Sequence, residues 1–131
     1  MRSLARESVF KYLFSRLFNP DDEGLFDVLI KDLNDGDKDF ASKLLKQIID
    51  NESLYLQKID DLSIGYKINR IHNADKCVLQ LGMAELDLFK DTPIPVVIDE
   101  SVNLVAKYST ENSTDFVNGI LAEYSKERND G

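Results

Sequence analysis

Residues 73–89 read Asn73-Ala74-Asp75-Lys76-Cys77-Val78-Leu79-Gln80-Leu81-Gly82-Met83-Ala84-Glu85-Leu86-Asp87-Leu88-Phe89, and their apolar side chains fall on more than one helical face. A helix that is apolar on several faces must be enclosed by other elements. The spacing therefore predicts a central helix over about 74–89, with Asn73 able to cap it, and a shell of helices around it.

The flanking sequence supplies that shell. Val9, Phe10, Leu13, Phe14, Leu17 and Phe18 recur at the three and four spacing of one helical face, which predicts a first helix from Ser3 as N-cap to about Phe18. Asn19-Pro20 stops it and restarts a second, with Asp21, Asp22 and Glu23 at the positive end of its dipole and Leu25, Phe26, Leu29, Ile30 and Leu33 as its apolar stripe. After a turn at Asn34-Asp35-Gly36-Asp37, a long helix carries Phe40, Ala41, Leu44, Leu45, Ile48 and Ile49, and its face can be continued through Leu56 and Ile59 to about Leu62. A short helix is expected over 66–71. Pro93 and Pro95 forbid continuation of the central helix, and two more helices are expected at about 96–108 and 114–126, the last capped by Ser113. No alternating run of useful length exists, so the fold class is all-α, a bundle of about seven helices. At 131 residues the chain is one domain long, 1–131, with 126–131 as a frayed tail.

Composition narrows function. The net charge is −8, yet residues 1–17 carry +3 through Arg2, Arg6, Lys11 and Arg16 against Glu7, while 19–61 carry −7 and 62–131 carry −4. Phosphate binding needs concentrated Lys and Arg, so a nucleic-acid footprint must start at the N-terminus. No apolar run reaches the roughly 20 residues of a membrane span, and no signal peptide is evident, which predicts a cytoplasmic protein without membrane contact. The single cysteine, Cys77, cannot form an internal disulfide and reads as a small buried hydrophobe.

Catalytic chemistry finds no matched set. His72 is the only histidine, so neither a zinc site nor a His-activated nucleophile can be assembled, and the scattered glycines build no phosphate or dinucleotide loop. The sequence thus predicts no catalytic residues, no metal and no cofactor. Gly82 and Gly119 interrupt helices at about 1 kcal/mol each against alanine. Close helix approach is the expected compensation, and for Gly119 a backbone left bare for a ligand stands equally.

Several motifs carry a resemblance: Ala5-Arg6-Glu7 after a basic start, followed by the aromatics Phe10, Tyr12 and Phe14; the segment Asn73 to Leu86; and Phe116-Val117-Asn118-Gly119. Together they make the chain similar, over almost its whole length, to the bacterial NusB antitermination factors. The resemblance implies an all-α fold of two helical subdomains and a non-enzymatic factor. Such a factor recognises boxA RNA together with NusE, a small-subunit ribosomal protein, and works within the RNA polymerase antitermination complex that elongates through ribosomal RNA operons. Position by position, it implies phosphate contacts from Arg2, Arg6 and Lys11, and base stacking by Phe14, which the apolar stripe reads equally as core. Asn112, Ser113 and Asp115 would contact bases or ribose, with helix capping as the alternative. Asp75, Lys76 and Gln80 would face NusE, with dipole stabilisation as the alternative for Asp75. The N-terminal basic cluster is thinner than is usual in the family, which implies feeble unaided RNA binding. Self-association as a homodimer stays open. So do two rivals: the N-terminal domain of a ribosomal RNA methyltransferase, and a helical protein-interaction module without RNA.

Overall fold

The computed structural model describes residues 2–65 and 70–130, with side chains to 128, and among these every regular element is a helix. The helices are α1 (Arg2–Arg16), α2 (Leu25–Ile30), α3 (Asp35–Asp50), α4 (Glu52–Leu62), α5 (Asn73–Leu88), α6 (Ile94–Tyr108) and α7 (Glu111–Asp130). The all-α expectation holds. The short helix expected over 66–71 falls mostly outside the described residues.

Helix α5 is the enclosed one. Leu79, Leu81 and Met83 have almost no solvent contact, each burial contributing roughly 1.5–3 kcal/mol. Around α5 pack α6 and α7 on one side and α1, α3 and α4 on the other, while α2 rests on α1. All seven helices thus contribute to one core built around α5. Gly82 permits the close approach of α5 to α6 and α7: a Cβ there would lie 2.8 Å from Leu121 Cδ1 and 3.1 Å from Ser101 Oγ. Gly119 has open space instead, so close packing does not explain it.

Boundaries differ from expectation for identifiable reasons. Helix α1 starts at Arg2 and stops at Arg16; Ser3 lies inside it and donates to Glu100 Oε1 at 2.9 Å instead of capping. Its buried stripe ends near Phe14, because Leu17 and Phe18 lie in the following turn and are exposed. Residues 19–24 form turns, and α2 is only six residues long. Three adjacent carboxylates and Gly24 prefer solvent, and the chain turns helical only where Phe26 can pack on Tyr12, 5.4 Å between rings. The long helix expected to follow the 34–37 turn and run to about Leu62 is broken at Asn51, whose side chain donates to the Gln47 carbonyl at 2.8 Å and so ends α3. Asn34 caps α3 by accepting from the Asp37 amide at 2.8 Å, so Asp35, Gly36 and Asp37, expected in a turn, form the first turn of that helix. Pro93 precedes α6, with Ile94 and Pro95 in its first turn, where a missing N–H removes no intrahelical bond. Helix α7 starts before Ser113 and runs to Asp130, across the stretch expected to fray.

Polar groups inside the bundle tie its parts together. Asp87 accepts from the Tyr55 hydroxyl at 2.8 Å and the Tyr124 hydroxyl at 2.8 Å, and pairs with Arg128 Nε at 2.8 Å, joining α4, α5 and α7. Burial pushes both phenols well above the ordinary tyrosine range, and the Asp87 carboxylate adds to it. No helix among the described residues is long and apolar enough to cross a membrane.

Candidate nucleic-acid interface

Glu7, Lys11 and Phe14 share one face of α1 by their spacing, and the end of α6 lies alongside. Four rings run in a line there: Tyr108 to Phe10 at 4.9 Å, Phe10 to Phe14 at 6.0 Å, and Phe14 to Phe18 at 5.4 Å between centroids. Phe10 is core, Phe14 and Tyr108 are partly covered, and Phe18 is 63% exposed. Two ammonium groups flank the line. Lys107 Nζ lies 2.8 Å from Glu7 Oε2 and Lys11 Nζ 3.7 Å from Glu7 Oε1, with Lys107 also 5.3 Å from the Tyr108 ring centre. The hydrogen bond from Lys107, reinforced by the charges of both lysines, holds the Glu7 carboxyl below its ordinary range, while the same bond raises Lys107. Rings exposed at the two ends of the line, Phe18 and Tyr108, with cations beside it form a platform of the kind that stacks bases and tracks a phosphate backbone.

The N-terminal arginines are used differently from expectation. Arg2 is exposed, but its guanidinium lies 4.5 Å from the Phe40 ring centre and 5.4 Å from that of Phe89, and it donates to Thr92 Oγ1 at 3.1 Å. Arg6, expected to contact phosphates, is 5% exposed and makes a bidentate pair with Glu85, Nε to Oε1 at 2.7 Å and Nη2 to Oε2 at 2.6 Å. Burial works against its charge, but Glu85, and Glu100 at 3.8 Å, outweigh that and leave Arg6 above its ordinary pKa. Its role in this fold is to pin α1 to α5. A signal existed: Arg6 falls in helical register with Phe10 and Leu13, and Glu85 sits within an apolar helix, so each needs a buried counter-charge.

A second feature lies where α5 and α7 begin. A cleft of about 300 Å³ is lined by Arg70, Ile71, His72, Asp75, Thr110, Asn112, Ser113 and Phe116. Asn112 and Asp115 are exposed, as direct contact with a ligand requires. Ser113 is not: it is buried, donates to Asp75 Oδ2 at 2.8 Å, and lies 2.9 Å from Thr110 Oγ1. Asp75, expected to meet a partner protein at the surface, is only 3% exposed, and its Oδ1 has no hydrogen-bond partner among the described residues.

A third feature is a groove of about 110 Å³ between α1, α4 and α5, lined by Leu13, Leu17, Leu56, Lys76, Cys77 and Gln80 and rimmed by the Arg16–Glu52 pair at 2.6 Å. Gln80, expected on the exposed side of α5, is 7% exposed, and its Oε1 also lacks a partner among the described residues. Lys76 is half-buried at the edge. Cys77 is buried and its thiol is pushed up to about 12 by burial, so it carries no thiolate at neutral pH. No cluster of metal-ligating side chains occurs among the described residues.

Lys107, Tyr108 and Phe18 are the residues of the strip that sequence reasoning missed, Phe18 falling to the apolar stripe of α1. Lys107 sits in a segment whose summed charge is negative, and only the fold brings it to Glu7, 100 positions away.

Comparison with known proteins gives a consistent result. The family model described as the NusB family matches residues 3–126. The transcription antitermination protein NusB of Alkaliphilus oremlandii (strain OhILAs) is 34% identical over 129 residues, covering 94% of this chain and 91% of that protein. Its counterpart in Methylacidiphilum infernorum (isolate V4) is 34% identical over 131 residues, covering 96% and 91%. Among solved structures, T. maritima NusB superposes with a TM-score of 0.90 at 34% identity, covering 97% of this chain and 92% of that one. A chain in the crystal structure of antitermination factors NusB and NusE in complex with dsRNA superposes with a TM-score of 0.82 at 27% identity, covering 96% of each.

Proposed function

Because the chain belongs to the NusB family, we propose that it is a transcription antitermination factor that binds boxA RNA together with NusE and so promotes elongation through ribosomal RNA operons. It acts by binding within the RNA polymerase antitermination complex in the cytoplasm and catalyses no reaction. The observation that carries this reading is the line of rings from Tyr108 to Phe18 with Lys11 and Lys107 beside it, a stacking and phosphate-binding strip on a chain of net charge −8.

Lys11 and Lys107 contact phosphates, Phe14 and Phe18 stack on unpaired bases, and Asn112 and Asp115 meet the strand at the start of α7. Arg2, drawn onto Phe40, positions the α1 terminus and adds one peripheral charge. The groove lined by Gln80 and Lys76 faces NusE: its apolar walls suit a partner that offers an apolar side chain.

The test is a titration of labelled boxA RNA with the chain alone and with NusE, at two salt concentrations, for the natural protein and for Lys11→Ala combined with Lys107→Ala. NusE should tighten binding, and the double variant should weaken it and reduce the salt slope by roughly 0.7 for each phosphate no longer held. Equal RNA affinity in the two proteins, or no effect of NusE, would defeat the assignment.

A further inference from the structure

We propose that Glu7 is a built-in competitor for RNA: in the free chain its carboxylate occupies Lys11 and Lys107, and displacing it limits how tightly the aromatic strip holds a strand. The proposal rests on the RNA-binding reading above and adds to it a residue that opposes binding.

Glu7 is the one acid among residues 1–17, and the fold sets it against both cations of the strip. Its Oε2 accepts from Lys107 Nζ at 2.8 Å, and its Oε1 lies 3.7 Å from Lys11 Nζ. Each oxygen thus stands where a phosphate oxygen would stand on an ammonium group. The contacts are open to a ligand, since the side chains of Lys107 and Lys11 are 60% and 48% exposed. Ion pairs this exposed are weak, so a phosphate can displace the carboxylate. The pair of Arg6 with Glu85 differs: Glu85 is 1% exposed, beyond the reach of a strand. Glu7 also keeps its charge at neutral pH, because the hydrogen bond from Lys107 and the charges of both lysines hold its carboxyl below the ordinary range.

A residue in this position could instead act as a clasp between α1 and α6. Other contacts already join these helices. Ser3 donates to Glu100 Oε1 at 2.9 Å, Arg6 Nη1 lies 3.8 Å from Glu100 Oε2, and the Phe10 and Tyr108 rings stand 4.9 Å apart. The strip therefore keeps its shape without the Glu7 charge. Glutamine at this position retains an oxygen for Lys107 and loses only that charge, so the two roles predict opposite signs for Glu7→Gln.

The experiment titrates labelled boxA RNA, with NusE present, against the natural chain, Glu7→Gln and Asp99→Asn. Asp99 is exposed on α6, two turns before Lys107. That is about 12 Å along the helix, beyond the Debye length of about 10 Å at 0.1 M salt, so its neutralisation reports the effect of net charge alone. Glu7→Gln should bind about fivefold tighter, the effect of one unit charge about 4 Å away in water. Asp99→Asn should change affinity by less than about twofold, and the gain from Glu7→Gln should shrink as salt rises. A second measurement uses the natural protein. Glu7 faces Lys11 on α1 and Lys107 and Tyr108 on α6, so carboxyl-carbon NMR should show it titrating at higher pH once RNA has taken the lysines. Weaker binding by Glu7→Gln makes the residue a clasp, and a gain no larger than that of Asp99→Asn makes it a share of net charge. Either result, or a Glu7 titration unmoved by RNA, overturns the proposal with RNA binding intact. If Lys11→Ala combined with Lys107→Ala binds RNA as the natural chain does, the functional reading itself fails and the proposal falls with it.

Discussion

Replacing Arg6 with methionine separates two roles, a phosphate contact and a structural tie. In the structure the guanidinium makes two short bonds to Glu85, at 2.7 and 2.6 Å, and Glu85 is 1% exposed. Removing one member of a buried pair strands the other charge, which costs about 3–5 kcal/mol. A domain of this size has about 5–15 kcal/mol in total, and each kcal/mol moves the melting temperature by roughly 4 °C. Arg6→Met should therefore lower Tm by roughly 12–20 °C, read by circular dichroism, with a parallel loss of ΔG in urea. Arg6→Met combined with Glu85→Leu removes both charges and should recover most of the loss, because apolar replacement of a whole buried pair is often neutral or favourable. At a temperature where Arg6→Met is folded, its boxA affinity and salt slope should match the natural protein. The structural role is refuted if Arg6→Met unfolds within about 1 kcal/mol of the natural chain while its salt slope drops by about 0.7, since that is how an exposed phosphate contact behaves.

The two helical glycines should respond with opposite signs. Gly82→Ala puts a methyl 2.8 Å from Leu121 in a closed core and should destabilise by about 1–2 kcal/mol even after the gain in helix propensity, whereas Gly119→Ala meets open space and should stabilise by up to about 1 kcal/mol; urea denaturation compares them. Asp87→Ala deprives the Tyr55 and Tyr124 hydroxyls of their shared acceptor and should cost about 2–4 kcal/mol, while Tyr124→Phe costs about 1 kcal/mol, both by the same assay. Glu7, whose carboxyl is held below its ordinary value chiefly by Lys107, stabilises the fold fully above its unfolded pKa of about 4.3, and this contribution is lost as pH falls through the lower folded value. Glu7→Gln should flatten that limb of the stability curve, measured by urea denaturation from about pH 5 downward.

What the sequence made legible is what short-range periodicity encodes. The α1 stripe, the enclosed α5 and the break at Pro93 to Pro95 all follow from three and four spacing and proline chemistry. The break at Asn51 was not legible, because Leu44, Ile48, Tyr55 and Ile59 keep one helical phase straight through it and only a side-chain bond to Gln47 reveals the stop. The candidate site divides in the same way. Lys11, Phe14, Asn112 and Asp115, which the family resemblance assigned to RNA, stand at the surface or partly so. Arg6, Ser113, Asp75 and Gln80, assigned by the same resemblance, are buried: a match along the chain does not say which helical face a side chain occupies. Lys107 escaped because it meets α1 only in three dimensions.

Moving Arg6 inside changes the electrostatics of binding. Lys11 and Lys107 remain beside the aromatic strip, and Glu7 already holds both, so a phosphate must replace a carboxylate before it gains a lysine. Two contacts on a single strand give a salt slope of roughly 1.4, equivalent to a loss of only about sevenfold between 50 and 200 mM salt. A chain of net charge −8 adds general repulsion to that small attraction, so its unaided grip on RNA should be weak, with only a shallow dependence on salt. Any steeper slope measured with NusE present must come from cations on NusE or from a surface the two proteins form together. The difference between the two slopes, divided by about 0.7 per phosphate, counts the phosphates the partner holds. A slope near 1.4 with and without NusE would mean that the partner holds no phosphates, and that any gain in affinity arises from shape or base recognition alone.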